Sequence, residues 1–178
     1  MLIQMPRLTG DGNHRPERVT IHAMAEYLDF EPFDQHAFDF LTDRKLSAHY
    51  LITPSGDTLK CLEDEQIGRH AGRGLNTHNI GIEILVPGLH TYATFAQRIK
   101  DNDWCGGAQW GETVDLVRRL RKEYRMEDIF RVVVRGETSR KDITEPWLVR
   151  HSDIAPGRKI DPGKGFPWQA FRKEVYDL

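Results

Sequence analysis

Two cysteines in 178 residues, Cys61 and Cys105, are too few for a disulfide scaffold, and they form no close-spaced metal pattern. Both read as ordinary reduced thiols. No apolar run approaches the ~20 residues that a membrane span needs. Met1 to Gly10 lacks the charged start, long apolar stretch and cleavage site of a signal peptide. The expectation is therefore a protein made and kept in the cytoplasm unless another factor releases it. Charge of one sign is also lacking. A formal net charge of −2 leaves no footprint for nucleic acid and no acidic tail for a basic partner. The one basic run, Arg118-Arg119-Leu120-Arg121-Lys122, falls on an expected helix and reads as a solvated face. Neither nucleic acid nor a membrane is an expected partner. Oligomeric state is not written in the pattern, and a monomer is the default.

What is present fits a soluble globular chain, with 39% apolar and 29% charged residues. The length suits one domain with one core, residues 1–178, without repeats or low-complexity linkers. Arg18-Val19-Thr20-Ile21-His22 reads as a β-branched strand ending at a histidine. Ala37, Phe38 and Leu41 recur at helical spacing within Asp34 to Asp43. Ser47 to Thr53 and Thr58 to Leu62 read as two strands of a hairpin around the turn Pro54-Ser55-Gly56-Asp57. A glycine-punctuated loop covers 68–79, and Ile80 to Val86 reads as a buried strand. Residues 89–107 have no clear pattern and read as a surface insertion.

Val114, Val117, Leu120 and Tyr124 mark the best helix, about Gln109 to Arg125. A loop or short strand segment, partly a second insertion at 131–146, precedes the strand Trp147-Leu148-Val149-Arg150-His151. A Gly/Pro-rich loop, 155–167, leads to a last amphipathic helix, about 168–176. Irregular alternation with one hairpin predicts an α/β fold: a central mixed β-sheet flanked by helices.

Two strands thus end at histidine, His22 and His151, where the chain leaves the sheet. Two such ends can meet at one sheet edge and hold a divalent metal, although a lone strand-end histidine is more often a hydrogen-bonded structural residue. The stretch from His151 to Gly163 shifts that balance. It packs a histidine, two carboxylates and two cations into a loop stiffened by Pro156 and Pro162. The plainer alternative is that Asp161-Pro162-Gly163 is simply a good turn. Glu83 sits in the apolar run Ile82-Glu83-Ile84-Leu85. Desolvation there would push its pKa upward, which suits proton transfer near neutrality.

These segments resemble the type 2 N-acetylmuramoyl-L-alanine amidases, zinc enzymes related to the peptidoglycan recognition proteins. The resemblance rests on Val19-Thr20-Ile21-His22, Ser47-Ala48-His49-Tyr50-Leu51-Ile52, Arg69-His70-Ala71-Gly72, Asn79-Ile80-Gly81-Ile82-Glu83 and the whole stretch 151–163. They occur in the family's order and cover about residues 18–171. The resemblance implies the peptidoglycan-recognition-protein-like amidase fold and one Zn2+. The metal would be held by His22, His151 and Asp161, with a fourth position left for water. It implies Glu83 as the acid/base and Lys159 as the oxyanion stabiliser. His70 would line the substrate groove, and Asn76 and Asn79 would bind muropeptide or shape the loop.

The implied activity is hydrolysis of the amide between N-acetylmuramic acid and L-alanine in peptidoglycan or muropeptides. Some phage members carry tyrosine just before the histidine of the second strand, where this chain has Ala48. Tyr50 does not inherit that role. Ala48 together with Glu83 places the chain nearer the glutamate-using group, which includes cytoplasmic recycling amidases. The two insertions depart from those enzymes and tilt the expectation toward a phage-type endolysin. The alternatives are an anhydromuropeptide-recycling amidase and a non-catalytic peptidoglycan-binding module. A third, that the histidines are structural and another amide is the substrate, is disfavoured by the 151–163 match. His14, His36, His78 and His90 have no motif support and read as surface or loop residues.

Overall fold

The computed structural model describes residues 2–4, 10–25, 33–72, 74–88, 90–135 and 139–177. Its strands are β1 (Leu2–Gln4), β2 (Arg18–Met24), β3 (Tyr50–Ile52), β4 (Thr58–Lys60), β5 (Asn79–Leu85), β6 (Ile129–Arg135), β7 (Ser139–Glu145) and β8 (Leu148–Arg150). Its helices are α1 (Phe33–Asp43), α2 (Tyr92–Arg98), α3 (Gly107–Tyr124), α4 (His151–Ile154) and α5 (Trp168–Tyr176). Six strands form one mixed sheet in the order β1-β4-β3-β5-β2-β8. Within this sheet only the β3–β4 hairpin is antiparallel, and the other four pairings are parallel.

Alternation along the strands sorts side chains onto two faces. Val19 and Ile21 of β2, with Ile80, Ile82 and Ile84 of β5, pack on Val114, Val117 and Leu120 of α3 and on Phe171 and Val175 of α5. Each such side chain contributes about 1.5–3 kcal/mol by leaving water. On the opposite face Met24, Leu51, Leu59 and Leu85 pack with Ala37 and Leu41 of α1. Gln109, at the start of α3, donates its Nε2 to the carbonyls of Ile52 (3.0 Å) and Leu85 (2.9 Å), tying the helix to two strand ends.

Two expectations are corrected. Residues 90–107 are not a surface insertion. They contain α2, and Phe95, Ile99, Trp104 and Cys105 are buried in the main core. The signal was the N-cap: Thr91 Oγ1 accepts from the Thr94 amide at 3.3 Å. The helix is too short for its periodicity to stand out. The segment 129–146 is not a loop with a short strand but a long hairpin. β6 and β7 pair from Ile129↔Glu145 to Arg135↔Ser139 as a separate two-stranded sheet, and residues 136–138 lie outside the described residues, as does residue 89. The first strand, β1, is parallel to β4 and was not foreseen; three residues are too few to show a pattern. No helix among the described residues is long and apolar enough to cross a membrane.

Candidate metal centre and cleft

The site lies at the carboxyl ends of the parallel strands, where open α/β sheets place their ligands. β2 runs between β5 and β8. Its register pairs Ile21 with Arg150 and His22 with Glu83. His151 follows Arg150 directly, so His151, His22 and Glu83 stand in one row across three neighbouring strands; β2 runs on to Met24, so His22 lies within its strand and does not end it. The alternation that buries Val19 and Ile21 on one face sends His22 to the other. β8 stops at Arg150, and His151 opens the single turn α4 rather than ending the strand. The Arg150–Asp153 ion pair brackets that turn, at 2.7 Å.

The following loop brings Asp161 back. The amide of Ser152 donates to the Asp161 carbonyl at 3.0 Å. Arg158 Nη2 donates to the carbonyl of Ala71 at 2.9 Å, which ties this loop to the Arg69-His70-Ala71-Gly72 segment. Asp161 Oδ2 then lies 3.0 Å from His151 Nδ1 and 3.4 Å from His22 Nδ1, while the two Nδ1 atoms are 2.8 Å apart. All three residues are buried. Burial drives the pKa of His22 down to about 4, against the raising effect of Asp161. Burial also pushes the Asp161 carboxyl up, but the interactions with the His151 and His22 rings beside it outweigh burial and hold the group below the usual carboxylate range. Neutral imidazoles and an ionised carboxylate are the protonation states that bind a divalent metal.

The donor set fits zinc. The three atoms form a triangle with edges of 2.8, 3.0 and 3.4 Å; zinc bonds to N and O of about 2.0–2.2 Å give tetrahedral edges of about 3.3–3.6 Å, so the triangle need open by only a few tenths of an ångström to receive the ion. Glu83 Oε1 stands 3.8 Å from His22 Nδ1. Burial, then the charge of Asp161, push the Glu83 pKa up to about 8, partly countered by Lys159. Lys159 itself is exposed and lines the cleft in front of this cluster.

That cleft has a volume of about 540 Å³. Arg44, Arg69 and Lys159 contribute cationic groups to its lining, and Phe40, Tyr92 and Phe95 contribute aromatic surface. Three large apolar side chains are exposed among the described residues, Leu46, Tyr92 and Ile160, and all three line the cleft. None of them was singled out from the sequence. His90 also lines the cleft, with Nε2 2.7 Å from the Pro87 carbonyl. His14 is half-buried, with Nε2 3.1 Å from the Asp64 carbonyl, so it is not a plain surface residue.

The other named residues are engaged with the chain itself. Asn76 Oδ1 accepts from the amides of His70, Ala71 and Gly72, at 3.2, 2.8 and 3.2 Å. Asn79 is fully buried; its Nδ2 donates to the Leu75 carbonyl at 3.0 Å and its Oδ1 accepts from Thr20 at 2.9 Å. These contacts are those of loop shaping. His70 lines the cleft, but its Nδ1 is 3.0 Å from His22 Nε2 and its Nε2 is 3.2 Å from the Asn79 carbonyl. His49, not expected to matter, is fully buried beneath it. It accepts from the Gly81 amide at 3.0 Å through Nδ1 and faces the Gln66 carbonyl at 2.8 Å through Nε2. Cys61 and Cys105 are buried thiols far from this chemistry in role, and burial pushes Cys105 up to about 12.

Comparisons place this geometry among known proteins. The chain is 25% identical over 131 residues to the 1,6-anhydro-N-acetylmuramyl-L-alanine amidase AmpD of Haemophilus influenzae. The match covers 74% of this chain and spans 59% of that relative's length. Its fold is similar to the solved endolysin N-acetylmuramoyl-L-alanine amidase LysCS from Clostridium intestinale URNW, with a TM-score of 0.67 at 18% identity, covering 98% of this chain and 95% of that one. A selenomethionine derivative of AmpD gives a TM-score of 0.63 at 20% identity, covering 97% and 93%. Residues 12–164, the span that carries the whole histidine–carboxylate row and the loop returning Asp161 to it, match the family model for N-acetylmuramoyl-L-alanine amidase, and the chain belongs to that family.

Proposed function

We propose that the protein is a zinc-dependent amidase that hydrolyses the bond between N-acetylmuramic acid and L-alanine in peptidoglycan or muropeptides. The observation that carries the reading is the convergence of His22, His151 and Asp161 beside Glu83 at the floor of the cleft. When bound, zinc supplies a Lewis acid for the scissile carbonyl and lowers the pKa of water to about 7. His22, His151 and Asp161 would hold it. Glu83 takes a proton from the attacking water and returns it to the leaving amine, and its raised pKa suits both directions near neutrality. Lys159, at the cleft wall, faces the oxyanion that develops on the carbonyl. The cationic lining matches the carboxylates of a stem peptide, and the aromatic lining matches sugar rings.

The lytic, endolysin-type setting is the favoured biological role, with release from the cytoplasm to the wall. Its support is the similarity of the fold to the solved endolysin amidase LysCS from Clostridium intestinale URNW; α2 and its flanks, packed into the core, also build part of the cleft wall through His90, Tyr92 and Phe95. Purified protein assayed on intact sacculi and on soluble anhydromuropeptides tests both levels. Zinc-dependent release of stem peptides from either substrate supports the amidase reading. Preference for sacculi supports the lytic role, and preference for anhydromuropeptides replaces it with recycling. Binding of peptidoglycan without cleavage, at saturating zinc, would reduce the protein to a recognition module.

A further inference from the structure

We infer that His70 is a positioning residue for the metal: it fixes His22 in the tautomer that aims a lone pair at the metal point, and it takes its own orientation from the Asn79 carbonyl. The inference rests on the zinc reading above.

The argument follows donors and acceptors along one line. A carbonyl oxygen only accepts, so His70 Nε2, 3.2 Å from the Asn79 oxygen, carries the His70 proton. A singly protonated His70 then presents a lone pair at Nδ1. That lone pair faces His22 Nε2 at 3.0 Å, so His22 carries its proton there and donates. His22 Nδ1 is left as the lone pair, and it is the atom that faces His151 Nδ1 at 2.8 Å and Asp161 Oδ2 at 3.4 Å. A backbone carbonyl thus sets the protonation pattern of two rings and leaves the correct nitrogen bare for the metal. His151 has no such device: its Nε2 is buried without a partner among the described residues. His22 is the ligand whose orientation is determined before the metal arrives.

The surroundings are built to hold the His70 ring in that line. A Cβ on Gly81 would lie 2.5 Å from His70 Cγ and 2.6 Å from its Nδ1, and a Cβ on Gly68 would lie 3.0 Å from its Cδ2. Two glycines therefore open the slot into which the ring fits. The edge of His49 supports it from below, with ring centroids 5.7 Å apart, and His49 is itself fixed by the Gly81 amide and the Gln66 carbonyl. Asn76 braces the amide of His70 from the loop side.

The test is zinc affinity of the full chain, read by competition with a chromophoric chelator. His70→Ala is expected to weaken zinc binding about 10- to 100-fold. His70→Asn places an amide oxygen near the position of Nδ1 and is expected to restore most of that loss, which a purely space-filling role would not produce. Gly81→Ala, which keeps His70 but displaces its ring, is expected to weaken zinc as well. Long-range nitrogen–proton NMR spectra of the metal-free wild type are expected to show both His22 and His70 protonated at Nε2. That readout stands even if His70→Ala fails to fold. Wild-type affinity in His70→Ala, equal losses in the alanine and asparagine variants, or a His22 proton on Nδ1 each overturns the inference alone. A wild-type chain that takes up no zinc overturns the metal reading and this inference together.

Discussion

His22 Nδ1 and His151 Nδ1 lie 2.8 Å apart although 129 positions separate them in the chain. The parallel pairing of β2 with β8 brings them together, because the register that matches Ile21 with Arg150 puts the next residue of each strand side by side. A cation shared by these two nitrogens and Asp161 binds the folded arrangement and not the unfolded chain, in which the three groups are far apart. Zinc should therefore stabilise the folded chain. At free zinc about 100 times Kd the linkage gain is about 2.7 kcal/mol. In a chain of this size that corresponds to a rise in Tm of roughly 5–10 °C. Thermal melts with zinc and with a chelator check it. Asp161→Ala is expected to abolish most of the zinc-induced rise; an undiminished rise in that variant would place the metal elsewhere.

Glu83 touches the reacting groups in the proposed mechanism but is no ligand. Glu83→Ala is expected to keep zinc affinity within a few-fold of wild type while kcat falls about 10²- to 10⁴-fold, the range usual for a removed general acid/base. Zinc titration and muropeptide turnover, measured on the same preparation, separate the two effects. Unchanged turnover removes Glu83 from the mechanism, and a collapse of zinc affinity recasts it as a ligand.

The same carboxyl has a stability signature in the metal-free protein. Its folded pKa of about 8 lies above its ordinary value, so the folded state holds a proton that the unfolded state gives up. That contribution is fully present below about pH 4.5 and is lost as pH rises through 8. Replacing Glu83 by Gln, which cannot ionise, should remove the loss. Urea unfolding with chelator present is expected to show Glu83→Gln more stable than wild type at pH 8.5, by on the order of a few kcal/mol, with the gap closing near pH 4.5. A gap independent of pH contradicts the burial of this group.

Buried histidines act with the opposite sign. Burial lowers His22 to about 4, His49 to about 3, and His70 well below its ordinary value, with the charges of His22 and His49 adding to the effect on His70. The unfolded chain takes up protons near pH 6.5 that the folded chain refuses. Stability from these groups is thus complete above pH 6.5 and is lost as pH falls toward 4 and 3. Metal-free protein is expected to lose on the order of 2 kcal/mol per buried imidazole between pH 7 and pH 4.5, measured by urea unfolding. His49→Asn should flatten that slope. An equal slope in variant and wild type would mean that His49 titrates in the folded state as it does in water.

Much of this was legible before the fold was known, and the reason is local. β2, β5, α3 and α5 each carry apolar periodicity strong enough to identify element and face. His22 and Glu83 sit on β2 and β5, and His151 and Asp161 follow β8 in a short turn and loop marked by their own motif, so placing these segments nearly places the site. Tertiary packing decided the rest. Phe95 and Ile99 give α2 one buried stripe of a single turn, which is no pattern at all until the core closes over it. The long hairpin of β6 and β7 read only as a loop or short strand segment, with no partner strand marked. His49 carried a motif position but no role, because its two hydrogen bonds go to backbone groups of Gly81 and Gln66, which leave no trace in residue types.

Tyr92 is 72% exposed and lines the cleft with Leu46 and Ile160. An aromatic ring left in water on the wall of a binding groove gains from a ligand that covers it, and the gain is the same in the ground state and the transition state because the ring does not touch the scissile bond. Tyr92→Ala should therefore raise KM for muropeptide, about tenfold, with kcat little changed. Stability should move by less than about 0.5 kcal/mol, since an exposed side chain has little burial to lose. Steady-state kinetics with a thermal melt of the same variant check both halves. A fall in kcat at constant KM would bring Tyr92 into the reacting geometry, and unchanged kinetics would leave the cleft wall formed by α2 without a role in holding substrate.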